Sequence, residues 1–247
     1  MDAAVTTIDA GVIDAAAIYT QPPVSLALLP LDIKFVQGFV IGSLALTSLF
    51  HALRIFQLVT TEKALAWVLT LTTSFVVAAC SMPYLCVLAR NRWDVRAVIR
   101  SDDLSNLATG FFASYLAWDL ILGMIYYRAR IQVLTGYIHH TAYLALVVRA
   151  AMLNYTAVFM MFCVMEVPTI ILAFGHMQPQ WRRDDLFSGV FFVTRIVLHL
   201  ALMLGFYRMY PDRIIWKVVL AAFSLHVYWF YNILAQWRRL GCKQRGK

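Results

Sequence analysis

Long apolar stretches, interrupted at intervals by short polar clusters, set the rhythm of this chain. The runs Ile33–Val59, Ala64–Ala89, Leu104–Tyr127, Tyr137–Met152, Tyr155–Phe174, Phe187–Tyr207 and Ile214–Trp237 mostly reach the ~20 residues that a helix needs to cross a bilayer. They predict about seven spanning helices and an all-α, multi-pass transmembrane bundle. The breaks fall at Thr60–Lys63, Arg90–Asp103, Arg128–Gly136, around Asn154, at Gly175–Asp185 and at Arg208–Arg213 with Pro211. These carry the polar and helix-ending residues expected of connections. None is long enough for a second folded unit. The chain therefore reads as an N-terminal segment over 1–30, one transmembrane domain over 31–239 and a basic tail over 240–247.

Composition agrees with that pattern: 62% of the residues are hydrophobic and only 14% charged, with a mean hydropathy of +0.71, outside the range of an ordinary soluble domain. The net charge of +8 is concentrated in short loops and in the tail from Trp237 to Lys247. This suits anionic headgroups better than nucleic acid, which is not expected as a partner. An odd number of spans puts the termini on opposite sides, and the basic tail predicts a cytosolic C-terminus. Met1–Thr20 contains Asp2, Asp9 and Asp14 and no basic region, so no cleavable signal peptide is expected there. Cys80, Cys86, Cys163 and Cys242 form no CxxC spacing, which argues for packing rather than a disulfide framework or zinc finger. Cys242, among basic residues beside the last helix, is a candidate for palmitoylation. The sequon Asn154–Tyr155–Thr156 lies too close to two helices to be a good glycan acceptor. The end Lys243–Lys247 only loosely matches a dibasic retrieval signal.

The chemistry lies in polar groups placed where they are costly, at about 2.5–3.5 kcal/mol per ionisable residue at a helix centre. Tyr115 and Asp119 are four apart in the third span and share a face. The fourth span opens with His139 and His140, followed by Tyr143. Adjacent helical side chains diverge by about 100°, so the two rings should take different tasks. In the fifth span Glu166 is followed by Pro168 and Thr169, where a proline bends the helix and frees a carbonyl. Arg195 and His199 are one turn apart in the sixth, and His226 and Trp229 lie in the seventh. One reading makes Asp119, Glu166 and Arg195 an ion-pair network that fixes helix register, with the histidines as hydrogen-bonding residues. Tryptophans such as Trp118, Trp216 and Trp229 are, by default, interface or core residues. A metal site built from His139, His140, His199 and Asp119 is the weakest reading, because adjacent histidines lack the i, i+4 spacing of paired ligands.

The ordered set Ser114-Tyr115-x-x-x-Asp119, His139-His140, Glu166-x-x-Thr169, Phe192-x-x-Arg195 and Tyr228-Trp229-Phe230 resembles the TLC domain (TRAM–LAG1–CLN8) across roughly Leu31 to Arg239. That family includes ceramide synthases, TRAM-type translocon partners, CLN8-like proteins and the small TLCD proteins. The resemblance implies a helical bundle around a membrane-embedded cavity holding a lipid chain, and an endoplasmic-reticulum or related membrane. Ceramide synthases continue the histidine pair into a longer His-Asp motif. Here the corresponding stretch reads Phe162-Cys163-Val164-Met165-Glu166-Val167-Pro168-Thr169, which is closer to the TLCD or CLN8-like branch.

Two classes of function follow. In the first, His139 or His140 acts in acyl transfer, Asp119 orients the imidazole and acyl-CoA serves as co-substrate. Tyr115, Tyr143, Glu166, Thr169, Arg195, His199, His226 and Trp229 would line the substrate. In the second, the same cluster serves a lipid-binding, sensing, transport or cargo-partner protein without turnover. Membrane lipids are the expected partners in both, and no cofactor or metal is required.

Overall fold

A computed structural model describes residues 30–245 and, among these, contains helices and no strand. We label the principal helices α1 (Ile33–Ile55), α2 (Glu62–Arg90), α3 (Asp103–Tyr126), α4 (His139–Met152), α5 (Thr156–Met177), α6 (Asp184–Met209) and α7 (Ile215–Arg245). Six of them, all but α4, are long and apolar enough to cross a membrane. The α-helical part of α4 has 14 residues, ~21 Å at 1.5 Å per residue, and a π-helical turn at Val133–Ile138 extends it. The protein is thus a multi-pass helical membrane bundle. The expected N-terminal segment, apart from its last residue, and the side chains of the basic tail, including Cys242, lie outside the described residues.

Local chemistry explains the helix ends. Asp32 accepts a hydrogen bond from the Lys34 amide at 2.7 Å, and Thr61 accepts one from Ala64 at 3.2 Å. Asp102 and Ser105 form a reciprocal capping box, each satisfying amides that a helix start leaves unpaired. The first helix stops at Ile55, short of the expected Val59, because Gln57 takes a left-handed conformation (φ 55°). In the connection before α3, the Arg96 guanidinium holds the Asp94 carboxyl below the usual carboxylate range. That contact is therefore present at neutral pH and lost as the pH falls through the depressed value.

Lipid tails are as apolar as leucine, so helices in a membrane associate through close packing and hydrogen bonds. The α1–α3 contact is among the most extensive in the bundle and is built on glycines. A Cβ on Gly38 would strike the Leu107 carbonyl, one on Gly110 would strike the Phe35 carbonyl, and one on Gly42 would meet Ser114 Oγ. Gly38-x-x-x-Gly42 on one helix thus meets Gly110-x-x-x-Ser114 on the other, a small-residue motif not singled out in the sequence. The outward residues Val40, Ile41 and Leu44 are at least half exposed, as a lipid-facing surface requires. Around this pair, α2 packs on α3 and α5, α4 on α3 and the first half of α5, α6 on the second half of α5, and α7 on α6.

The sequon has a structural role. Thr156 is fully buried. Its hydroxyl donates to Asn106 at 2.6 Å and lies 3.0 Å from Ser105, and its amide donates to Ser101 at 2.9 Å. Asn154 takes a left-handed conformation (φ 60°) in the turn between α4 and α5, a state that asparagine tolerates better than most residues. We expect Asn154 to carry no glycan. Expression in a glycosylating host should give a band whose mobility is unchanged by glycosidase, and a glycosidase-sensitive shift abolished by Asn154→Gln would contradict this.

Candidate functional site

The polar residues predicted on separate helices meet in one continuous cluster inside the bundle. Its first part joins α3 and α4. Asp119 Oδ2 lies 3.3 Å from His140 Nδ1, without the alignment of a hydrogen bond. Its Oδ1 accepts from the Tyr127 hydroxyl at 2.8 Å. The Tyr115 ring lies 5.5 Å from the His140 ring, and its hydroxyl is 3.1 Å from Thr70 Oγ1 on α2.

Successive residues on α4 point different ways, as helical geometry requires. His140 is buried against Asp119 and Tyr115. His139 turns the other way and packs on Tyr143 and Trp229, with ring centroids 4.6 and 5.6 Å away. The two imidazoles are 5.8 Å apart, so His139 is a neighbour of the His140–Asp119 pair and not a second member of it.

The second part joins α2, α5 and α6. Arg195 donates from Nε to the Met165 carbonyl at 2.7 Å, and from Nη2 to Glu166 at 3.2 Å and to Thr169 at 2.7 Å. Ser74 donates to the other Glu166 oxygen at 3.1 Å. This arrangement follows from the proline. A 3-10 turn at Cys163–Glu166 leads into Pro168, whose missing N–H leaves carbonyls of the preceding turn without helical donors. A guanidinium from α6 takes one of them. Two of its nitrogens are thus engaged by protein groups, so Arg195 anchors the site more than it offers a free cation.

The third part fastens α7 to α6. His199 Nε2 lies 3.0 Å from the Val219 carbonyl, and His199 Nδ1 lies 2.9 Å from His226 Nδ1. A carbonyl only accepts, so His199 carries its hydrogen on Nε2. In a neutral ring its Nδ1 is then the acceptor and His226 donates. A π-helical turn at Phe192–Leu198 places Arg195 and His199 in these inward positions, a local irregularity common at functional sites. Trp229 links the three parts: its ring lies 5.6 Å from His139, 5.8 Å from His226 and 5.8 Å from the Arg195 guanidinium.

All eleven residues singled out in the sequence, Tyr115, Asp119, His139, His140, Tyr143, Glu166, Thr169, Arg195, His199, His226 and Trp229, therefore belong to one constellation. The structure adds Thr70, Ser74 and Tyr127. The first two were legible as an i, i+4 hydroxyl pair within an apolar run. Tyr127 carried no local signal, because it reaches Asp119 only by the chain turning back after α3 ends. His199 pairs with His226 and not with the α4 histidines, and among the described residues no three His, Cys, Asp or Glu side chains are placed to share a metal. The chain-sized cavity implied by the resemblance is not shown among the described residues.

No curated protein and no solved structure matches this chain. A family model described as the TLC domain matches residues 33–235, which take in the bundle and every residue of the constellation. An integral membrane bundle with this ordered polar core, matched over most of its length, belongs to the TLC-domain family.

Proposed function

We propose that this protein acts on lipids in an endoplasmic-reticulum or related membrane, and that the His140–Asp119 pair moves the proton in acyl transfer to a lipid acceptor. The carrying observation is the 3.3 Å approach of His140 Nδ1 to a carboxylate whose other oxygen is held by Tyr127. A carboxylate beside Nδ1 favours the tautomer with hydrogen on that nitrogen, leaving Nε2 as the base. Nε2 takes the proton of an acceptor hydroxyl or amine as that oxygen or nitrogen attacks the carbonyl of an acyl thioester such as acyl-CoA. The carbon–sulfur bond then breaks, and the leaving thiolate receives the proton from the imidazolium. His139 contacts the substrate in this reading, while Arg195 and Glu166 hold α2, α5 and α6 in register.

A second reading, lipid binding without turnover, is favoured by the imperfect alignment between His140 and Asp119. In it, the histidines contact or position a lipid, and the protein serves as a sensor, carrier or cargo partner.

Mass-spectrometric lipid analysis of the purified protein and its host membranes separates the two, comparing wild type with the double variant His139→Ala, His140→Ala at matched abundance. Acyl transfer predicts that a specific acylated lipid disappears in the variant while the protein remains folded. An unchanged lipid profile with unchanged bound lipid would remove the catalytic reading.

A further inference from the structure

α7 turns one face to α6 and the opposite face outward. Its inward side is fixed by the His226–His199 contact at 2.9 Å and by the Trp237 indole, which donates to Ser188 on α6 at 3.0 Å. On the helix the positions opposite are Ala221, Ser224, Tyr228, Tyr231 and Ala235, bounded by Lys217 and Arg238. They recur in alternating steps of three and four, the repeat of a coiled-coil seam. All but Ala235 are exposed, and a hollow of about 220 Å³ opens over Ala235, walled by Tyr231, Leu234, Arg238 and Arg239. Lys217 and Arg238 stand ~32 Å apart along the helix, close to the ~30 Å thickness of the hydrocarbon core. These two cations therefore mark the headgroup levels, and Tyr228 lies midway, ~15 Å from each. A lipid-facing tyrosine normally sits in the headgroup belt, where its hydroxyl meets water, and no phenol reaches that far. Tyr228 and Tyr231 are 52% and 65% exposed. Neither they nor the exposed Asn232 beside them has a hydrogen-bond partner among the described residues. Bare polar groups in hydrocarbon are costly, so this face calls for a cover that can hydrogen-bond.

We propose that this face of α7 is the interface of a homodimer, in which α7 packs against α7 of a second copy about a two-fold axis along the membrane normal. The occupant follows from symmetry. Copies inserted into one membrane share one orientation, so a closed two-copy contact sets the helices parallel and brings each residue to its own counterpart. A polar residue that meets itself must both donate and accept. Ser224, Tyr228, Tyr231 and Asn232 do so, and the like charges Lys217 and Arg238 lie only at the headgroup edges. The shape agrees as well. In parallel knobs-into-holes packing, a knob at the Tyr231 position enters the hole formed by Tyr228, Tyr231, Asn232 and Ala235 of the other copy. Ala235 provides the room, where the hollow lies, and the Asn232 amide stands beside the incoming hydroxyl. Toward the other end, Ala221 and Ser224 let the two backbones approach closely. A helix of different sequence needs complementarity to its own pattern, whereas this pattern is complementary to itself. The inference is independent of the chemistry proposed for the polar core, which lies on the opposite side of α7.

The test uses the full chain with Cys80, Cys86, Cys163 and Cys242 replaced by alanine, carrying single new cysteines on α7 and reconstituted in phosphatidylcholine vesicles. Ala221→Cys, Ser224→Cys, Tyr228→Cys and Ala235→Cys lie on the seam, whereas Val218→Cys and Leu234→Cys replace exposed residues on its two flanks. Under copper-phenanthroline oxidation, we expect a disulfide-linked species of twice the monomer mass from the seam positions, formed at least tenfold faster than from the flanks. Equal rates at all six positions, or no dimer at any, would overturn the proposal. In native membranes, cross-links that join the seam to a protein of another mass and not to itself would do the same. A second measurement needs no cysteine: energy transfer between copies labelled at the N-terminus with donor and acceptor is followed as the vesicles are diluted with lipid. The double variant Tyr228→Leu, Asn232→Leu should need at least tenfold higher protein density to associate. Its melting temperature in detergent should match wild type, because both side chains point away from the bundle. Association of this variant at wild-type density would show that the polar seam does not join two copies.

Discussion

Replacing Arg195 by alanine is expected to be among the most damaging single substitutions in this protein, lowering the melting temperature in detergent by roughly 10 °C. The guanidinium occupies the Met165 carbonyl, Glu166 and Thr169 together. Its removal leaves a carboxylate in the middle of the bundle with Ser74 as its remaining described partner. Breaking a buried pair by deleting one partner costs about 3–5 kcal/mol. The 23% exposure of Glu166 places the cost near the lower end. For a chain of this length, each kcal/mol corresponds to about 2–4 °C. The double variant Arg195→Met, Glu166→Gln should recover much of the loss, because no charge is left stranded. If Arg195→Ala melts within a degree of wild type, the ion pair does not hold the bundle together.

Substituting Gly110 by leucine should be comparably severe for a different reason. Its hydrogen faces the Phe35 carbonyl across the α1–α3 contact, and any Cβ there meets backbone and not a movable side chain. Overpacking typically costs 1–3 kcal/mol. Where the obstacle is another helix's backbone, α1 must move away, and the hydrogen bonds and close contacts that replace the hydrophobic effect in lipid are lost together. We expect misassembly, seen as loss of the monodisperse peak in size-exclusion chromatography. Gly189→Ala is the control, since nothing lies within 4 Å of a Cβ built there. It should leave folding unchanged or slightly improved, as alanine is the better helix former. Equal behaviour of the two variants would show that the small-residue contact is not what joins α1 to α3.

The two substitutions probe devices that differed in how visible they were beforehand. Arg195 and Glu166 stood out because an ionisable residue in a spanning segment demands a partner. Gly38 and Gly110 did not, although the GxxxG spacing of Gly38 and Gly42 was there to be read. A glycine in an apolar run has meaning only when the helix it faces is known. The same distinction separates Asp119 from Tyr127: the first advertised itself by its cost, while the second is a tyrosine at a helix end whose ring happens to turn back. It also separates the individual histidines from their pairing, since four imidazoles allow several partnerships and spacing alone selected none of them.

What the sequence determined by itself was the class of object and the cast of residues. Apolar runs of bilayer length force helices, because no other element satisfies its backbone in lipid except a closed barrel, and each buried polar group marks itself by its cost. What only the tertiary structure decided was who meets whom. His140 takes Asp119 while His139 takes Trp229; Arg195 takes a carbonyl released beside Pro168; and His199 closes on His226 across two helices. These outcomes depend on the rotation and tilt of whole helices. In a membrane, where hydrophobicity no longer says which face turns inward, rotation and tilt are set by close packing and hydrogen bonds between residues far apart in the chain.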